Sequence, residues 1–236
     1  MSGELGTLYG VGVGPGDPGL VTLRAVEVIK RVSTVAFPVK REGAGSRAYD
    51  AVASHLGEAV VRLPLLMPMT RDRQLLDSAH EAAVKAVTEA AAGGRDLACL
   101  SLGDPLFYST FGYLAERFPG PVKVVAGVSA ISAMAAALGQ PLADGDTPMV
   151  VVTGKAHGAL AAALLMDASI VIIKPRSLSG ESLDLLDKHG VWGRTRAAVE
   201  LGSPGERLVT GLDREAAARL PYFAILWIQP VNKERR

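Results

Sequence analysis

The chain has 236 residues, 49% of them hydrophobic and 21% charged, an ordinary globular composition with enough apolar surface for one large core or two smaller ones. Its 25 Lys and Arg against 24 Asp and Glu leave a net charge of +1. This excludes the strong overall field that draws a protein to nucleic acid or to an anionic membrane surface. A single cysteine, Cys99, excludes an internal disulfide and a multi-cysteine zinc site, and its apolar neighbours read as core.

The opening Met1-Ser2-Gly3-Glu4 does not resemble a secretory signal. No apolar run reaches the roughly 18–20 residues that span a bilayer. A cytoplasmic protein is expected, with neither membrane nor nucleic acid as a partner.

Short apolar runs alternate with helical patterns along the chain. Leu8 to Val13 reads as a strand, Thr22 to Val32 as a helix, and Thr34 to Phe37 as a strand closed by Pro38. In Asp72 to Ala92, apolar residues recur at spacings of three and four; Asp72 is placed to cap this helix and Gly93-Gly94 to end it. Further strands are expected at Leu97 to Leu102, Val122 to Ala126, Met149 to Thr153, Ser169 to Ile173, Ala197 to Leu201 and Phe223 to Ile228. Alanine-rich or amphipathic helices are expected at Ile131 to Leu138, Ala159 to Met166 and Leu178 to His189.

The strands are continuous apolar runs, which favours sheets covered on both faces and hence an α/β class with mainly parallel sheets. Phe118-Pro119-Gly120-Pro121 disfavours helix. A domain boundary is expected there, dividing residues 1–119 from residues 120–236.

Three turns at strand ends carry the candidate chemistry. In the first, Gly14, Gly16 and Gly19 match G-x-G-x-x-G between a strand and a helix, the context of a dinucleotide fingerprint. A pyrophosphate cradle needs free backbone N–H groups, and Pro15 and Pro18 remove two of them. Asp17 adds a negative charge, and no acid ends the second strand. The basic pair Lys40-Arg41 leaves an NADP reading open, and a plain tight turn is a further alternative.

The second turn, Gly103-Asp104-Pro105, offers a carboxylate that accepts hydrogen bonds, and Pro105 is placed to begin a helix. The third, Gly127-Val128-Ser129-Ala130-Ile131-Ser132, offers hydroxyls before an alanine-rich helix, with Ser129 as a natural N-cap. The four histidines are dispersed without metal-ligand spacing, and there is no nucleophile elbow.

Together the three turns resemble the tetrapyrrole (corrin/porphyrin) methylases. YGVGVGPGDPGLVTLRA (9–25) resembles that family's opening signature, and SLGDPLFYSTFGYL (101–114) its Gly-Asp-Pro motif. GVSAISAMAAALGQPL (127–142) resembles its third signature, with Ala126 where relatives usually carry proline. The second motif is most like the branch that methylates C-20 of precorrin-2 or of its cobalt-bearing counterpart.

The resemblance implies two α/β domains with a cofactor cleft between them, in a homodimer. It implies S-adenosyl-L-methionine as methyl donor, released as S-adenosyl-L-homocysteine, and a tetrapyrrole as small-molecule substrate, with no protein-bound metal. Cofactor contacts are implied at Gly103, Asp104, Phe107, Ser129, Ala130, Ser132 and Tyr222. Pro15 and Asp17 fall on the substrate side, with Asp17 as the candidate base. Lys40, Arg41, Arg47, Arg71 and Arg73 are candidates for meeting substrate carboxylates. The implied reaction is conversion of precorrin-2 to precorrin-3A in cobalamin (vitamin B12) biosynthesis. Alternatives are methylation of cobalt-factor II, precorrin-4 or uroporphyrinogen III, an NADP-dependent oxidoreductase, and a non-catalytic ligand-binding protein.

Overall fold

A computed structural model describes residues 4–70 and 72–231; Arg71 lies outside the described residues. The chain divides into two compact units, Met1–Ser129 and Ala130–Arg236. The division after Ser129 lies ten residues past the one expected after residue 119. Strand Val122–Val125 pairs with the first strand of the chain, which keeps it in the first unit.

The first unit contains β1 (Leu8–Gly12), α1 (Leu23–Arg31), β2 (Thr34–Val39), α2 (Arg47–Asp50), β3 (Val61–Leu66), α3 (Arg73–Ala91), β4 (Leu97–Ser101), α4 (Phe111–Arg117) and β5 (Val122–Val125). The strands form one parallel sheet in the order β3-β2-β4-β1-β5. Alternate residues face opposite sides of this sheet, as the strand period requires. Tyr9, Val11, Ala98 and Leu100 pack with Ala25, Val28 and Ile29 of α1. Leu8, Leu97 and Cys99 pack instead with Ala83 and Val87 of α3 and Phe111 and Leu114 of α4. Burying side chains of this size contributes about 1.5–3 kcal/mol each.

Local sequence sets the helix ends. The Thr22 hydroxyl accepts from Ala25 N at 3.1 Å and starts α1. The Asp72 carboxylate accepts from Gln74 N and Leu75 N and starts α3. Gly93 and Gly94 adopt φ of 76° and 74° just beyond the end of α3, a backbone region that glycine enters without strain.

Two expectations are corrected. β2 runs through Pro38 to Val39, since a proline without an N–H is tolerated near a strand end. Pro105 does not begin a helix: residues 103–110 form turns, and α4 starts at Phe111.

The second unit contains α5 (Ala130–Leu138), β6 (Met149–Thr153), α6 (His157–Leu164), β7 (Ser169–Ile173), α7 (Gly180–Lys188), β8 (Thr195–Val199), β9 (Arg207–Thr210), α8 (Arg214–Ala218) and β10 (Ala224–Ile228). Its sheet order is β6-β7-β10-β8-β9. Only β6 and β7 run parallel; the remaining neighbours are antiparallel, so this sheet is mixed. Ile170, Ile172, Leu226 and Ile228 pack with Leu160 and Leu164 of α6 and Leu186 of α7. Trp227 is fully buried, and its indole N–H donates to Ser169 Oγ at 2.8 Å. No described helix is long and apolar enough to cross a membrane.

Candidate functional site

β1 and β4 lie side by side at the middle of the first sheet. The loop after β1 leads to α1 on one face, while the loop after β4 leads to α4 on the other. Adjacent parallel strands whose connections leave to opposite faces form a switch point, and ligands of open α/β sheets bind just beyond it. All of the first unit's motif residues fall at this edge.

The two loops are tied together at their base. Val13 N donates to Ser101 O at 3.0 Å, Gly14 N to Gly103 O at 3.3 Å, and Gly103 N to Gly14 O at 2.7 Å. Gly14 and Gly103 reach this pairing with φ of 74° and 76°. The third turn closes on the same point. A Cβ placed on Gly127 would lie 2.1 Å from Gly103 O, and one on Gly12 would lie 2.5 Å from Gly127 N. These glycines serve contact between backbones.

That arrangement removes the dinucleotide cradle. Gly14 N is bonded to Gly103, Gly19 N donates to Asp17 Oδ1 at 2.8 Å, and Leu20 N donates to Asp17 O at 3.0 Å. Val21 N donates to Pro18 O at 3.2 Å, and the two prolines carry no N–H at all. Most donors that a pyrophosphate needs are already engaged.

Asp104 joins the second and third turns. Its Oδ1 accepts from Leu106 N at 2.9 Å, and its Oδ2 accepts from Gly127 N at 3.0 Å. A carboxylate has about four lone-pair sites, so the half-buried group keeps capacity for hydroxyl or ammonium donors. Beyond it, Leu106, Phe107 and Tyr108 are exposed; the two aromatic rings meet edge to face at 5.0 Å. Tyr108 holds a φ of 53°, uncommon for a residue with a side chain. The loop is clasped at its ends, where Ser101 Oγ and Ser109 Oγ lie 3.1 Å apart and Ser109 Oγ accepts from Phe111 N.

This first-unit site offers acceptors and apolar rings and few free backbone donors. A profile of the Tetrapyrrole (Corrin/Porphyrin) Methylases matches residues 7–217 of the sequence. The chain belongs to the tetrapyrrole methylase family. It is 33% identical, over an alignment of 253 positions that covers 100% of both chains, to the Precorrin-2 C(20)-methyltransferase of Sinorhizobium sp. It is 37% identical to the Probable cobalt-precorrin-2 C(20)-methyltransferase of Methanocaldococcus jannaschii, over 61% of this chain and 62% of that one. Among solved structures, a uroporphyrin-III-C-methyltransferase from Thermus thermophilus matches at TM-score 0.65 and 25% identity, covering 96% of this chain and 93% of that chain. A cobalt precorrin-4 methyltransferase shares the fold at TM-score 0.69 and 18% identity, with 94% of each chain covered. As a member of this family, the protein is an S-adenosylmethionine-dependent methyltransferase of tetrapyrrole biosynthesis.

On this methylase, Pro15 is buried at the switch point and Asp17 is exposed, its Oδ1 capping the 3-10 turn Pro18–Leu20. Ser129 ends the first unit, immediately before α5. In the second unit, Ala130 opens α5, Ser132 is an exposed residue of that helix, and half-buried Tyr222 stands two residues before β10. Burial raises the Tyr222 hydroxyl pKa above its ordinary value. Of the cation candidates, Lys40 and Arg41 follow β2, Arg47 opens α2 and Arg73 opens α3.

The Ser101–Ser109 clasp and the contact of Gly12 with Gly127 are not legible in the sequence. Two serines on either side of a turn are a weak signal, and close backbone approach between residues more than a hundred apart leaves none.

Proposed function

We propose that this methylase transfers a methyl group to C-20 of precorrin-2, in metal-free or cobalt-bearing form, giving precorrin-3A or its cobalt counterpart. The observation that carries the reading is the end-to-end similarity to a precorrin-2 C(20)-methyltransferase. It is supported by 29% identity over 97% of both chains to the Cobalt-precorrin-2 C(20)-methyltransferase of Salmonella typhimurium.

S-adenosylmethionine, when bound, supplies an electrophilic methyl on sulfur whose departure as a thioether is neutral. The residues present fit such a ligand. It carries hydroxyl and ammonium donors for the spare acceptor sites of Asp104, a flat base for Phe107, and no phosphate for the absent cradle. Gly103, Asp104, Phe107 and Ser129 are the proposed cofactor contacts of the first unit; Ala130, Ser132 and Tyr222 are those of the second.

The main contribution of these residues is to hold the reacting atoms in line, an effect worth about 7–11 kcal/mol when the geometry is near attack. Pro15 and Asp17 are proposed to face the macrocycle. As the new C–C bond forms, C-20 must lose its proton, and the exposed Asp17 carboxylate is the proposed acceptor. The protein is further proposed to act as a homodimer in the cytoplasm.

The test is incubation with the methyl donor and either metal-free or cobalt-bearing precorrin-2, with the product located by mass and NMR spectroscopy. A single new methyl at C-20 supports the reading. Methylation at another ring position, or none with either substrate, overturns it.

A further inference from the structure

The face of the first sheet that carries α1 extends past the switch point to β2 and β3, where Phe37 packs on the same core. Phe37 stands opposite Pro64 and Val39 opposite Leu66, so these four side chains share that face at the carboxyl ends of both strands. With Glu42, Gly43 and Ala44 of the following loop they line a cavity of about 570 Å³, a volume within the range of small-molecule sites. β2 lies two strands from β1, about 10 Å along the sheet edge, and a tetrapyrrole facing Pro15 and Asp17 spans that distance.

The strand side of the cavity is wholly apolar. The exposed Lys40 and Arg41 follow Val39 directly, so the turn sets two cations against the one acid, Glu42, beside that apolar wall. A flat apolar ring bearing carboxylates matches both parts. The loop ends at Ser46, which is 6% exposed. Its Oγ is the one buried side-chain nitrogen or oxygen without a hydrogen-bond partner among the described residues. A buried hydroxyl left in this state is unfavourable until a ligand completes it. Gly43 and Gly45 have nothing within 4 Å of where a Cβ would stand, which gives the loop room to bring the hydroxyl to a ligand.

We propose that this cavity is a substrate subsite of the first unit, receiving one pyrrole ring of the tetrapyrrole against Phe37 and Leu66, with the Ser46 hydroxyl donating to a carboxylate on that ring. This deepens the functional reading above, in that it rests on a polycarboxylate macrocycle as substrate but not on methylation at C-20. The adenine of the cofactor is also a flat ring, so the experiment must separate the two sources.

The probes are uroporphyrin III, a stable tetrapyrrole with peripheral carboxylates, and S-adenosylhomocysteine, each titrated without turnover against L66W, S46A and the control V61W. Leu66 is 43% exposed, so a larger ring there fills the cavity without entering the core. Val61 is exposed at the other end of the same strand and reports only the effect of an added tryptophan on β3. L66W is expected to raise the uroporphyrin Kd about ten-fold by occupying the place of the pyrrole ring. S46A should raise it about five-fold through loss of one hydrogen bond. Without ligand, S46A should melt at or above the wild-type temperature, whereas a merely structural serine would lower the Tm on removal. The S-adenosylhomocysteine Kd should stay within about two-fold throughout, and V61W should change neither affinity.

Unchanged uroporphyrin affinity in L66W overturns the subsite. So does an equal loss in V61W, or an equal loss of S-adenosylhomocysteine affinity, which would assign the cavity to the cofactor. Wild-type uroporphyrin affinity in S46A, or a lowered Tm, overturns the role of its hydroxyl. If the L66W shift is found while precorrin-2 is methylated elsewhere than C-20, the subsite stands and the positional reading falls.

Discussion

The Asp104 carboxylate accepts the Gly127 N–H at 3.0 Å, joining turns that follow two different strands. Its other oxygen holds Leu106 N at 2.9 Å, so one side chain organises the loop after β4 and the loop after β5 together. Replacing Asp104 with alanine leaves both N–H groups without this acceptor and is expected to cost about 1–3 kcal/mol. Asparagine keeps one acceptor oxygen and turns an amide N–H₂ toward the other donor, so D104N should fall between wild type and D104A. Urea denaturation of the three proteins checks the order, and wild-type stability in D104A would refute it.

Gly127 has no room for a side chain. With its Cβ 2.1 Å from Gly103 O, G127A must push two backbones apart and should lower stability by more than about 2 kcal/mol. It should also weaken S-adenosylhomocysteine binding, because the Gly103 turn it displaces carries Asp104, the proposed acceptor for the cofactor. Gly112 in α4 has open space where a Cβ would stand, with nothing within 4 Å. G112A should therefore be neutral or stabilising by up to about 1 kcal/mol. Thermal melts of the pair give the comparison, and a G127A protein that melts with wild type would contradict the packing described.

In the second unit, Ser169 and Trp227 are both fully buried and hydrogen-bonded to each other. S169A removes the acceptor from a buried indole N–H and is expected to destabilise by about 1–3 kcal/mol. Equilibrium unfolding followed by tryptophan fluorescence measures it.

Burial pushes the Cys99 thiol up from 9.0 to about 12. The unfolded thiol ionises first as pH rises, so this group leaves stability unchanged below about pH 9 and lowers it progressively above that value. Iodoacetamide at pH 8.5 should label Cys99 only after denaturant is added. Rapid labelling of the native protein would place the thiol outside the core.

Much of the fold is legible in the sequence because local rules agree with tertiary packing. Met149–Thr153 and Ser169–Ile173 are strands with the expected bounds, and Asp72 caps the helix that its position announces. β3 is hidden in the sequence because Pro64 interrupts its apolar run, yet an edge strand pairs on only one side and tolerates it. β9 is hidden too, since Arg207–Thr210 is short and mostly exposed. The antiparallel neighbours of β10 are unreadable because buried strands carry similar apolar runs in either orientation. At the candidate site the three turns and Asp104 are legible from motif spacing. The helix expected at Pro105 is absent, because Asp104 commits its carboxylate to Leu106 and Gly127 and holds the next residues in a turn.

Among the described residues β10 is the last strand to be made, yet it lies between β7 and β8. On the ribosome, the first unit has all five of its strands once residue 125 has emerged. The second holds only two separate strand pairs until residue 228 is free. Until then the nascent chain exposes the apolar edges of β7 and β8, so it is the second unit that asks for chaperone protection during translation.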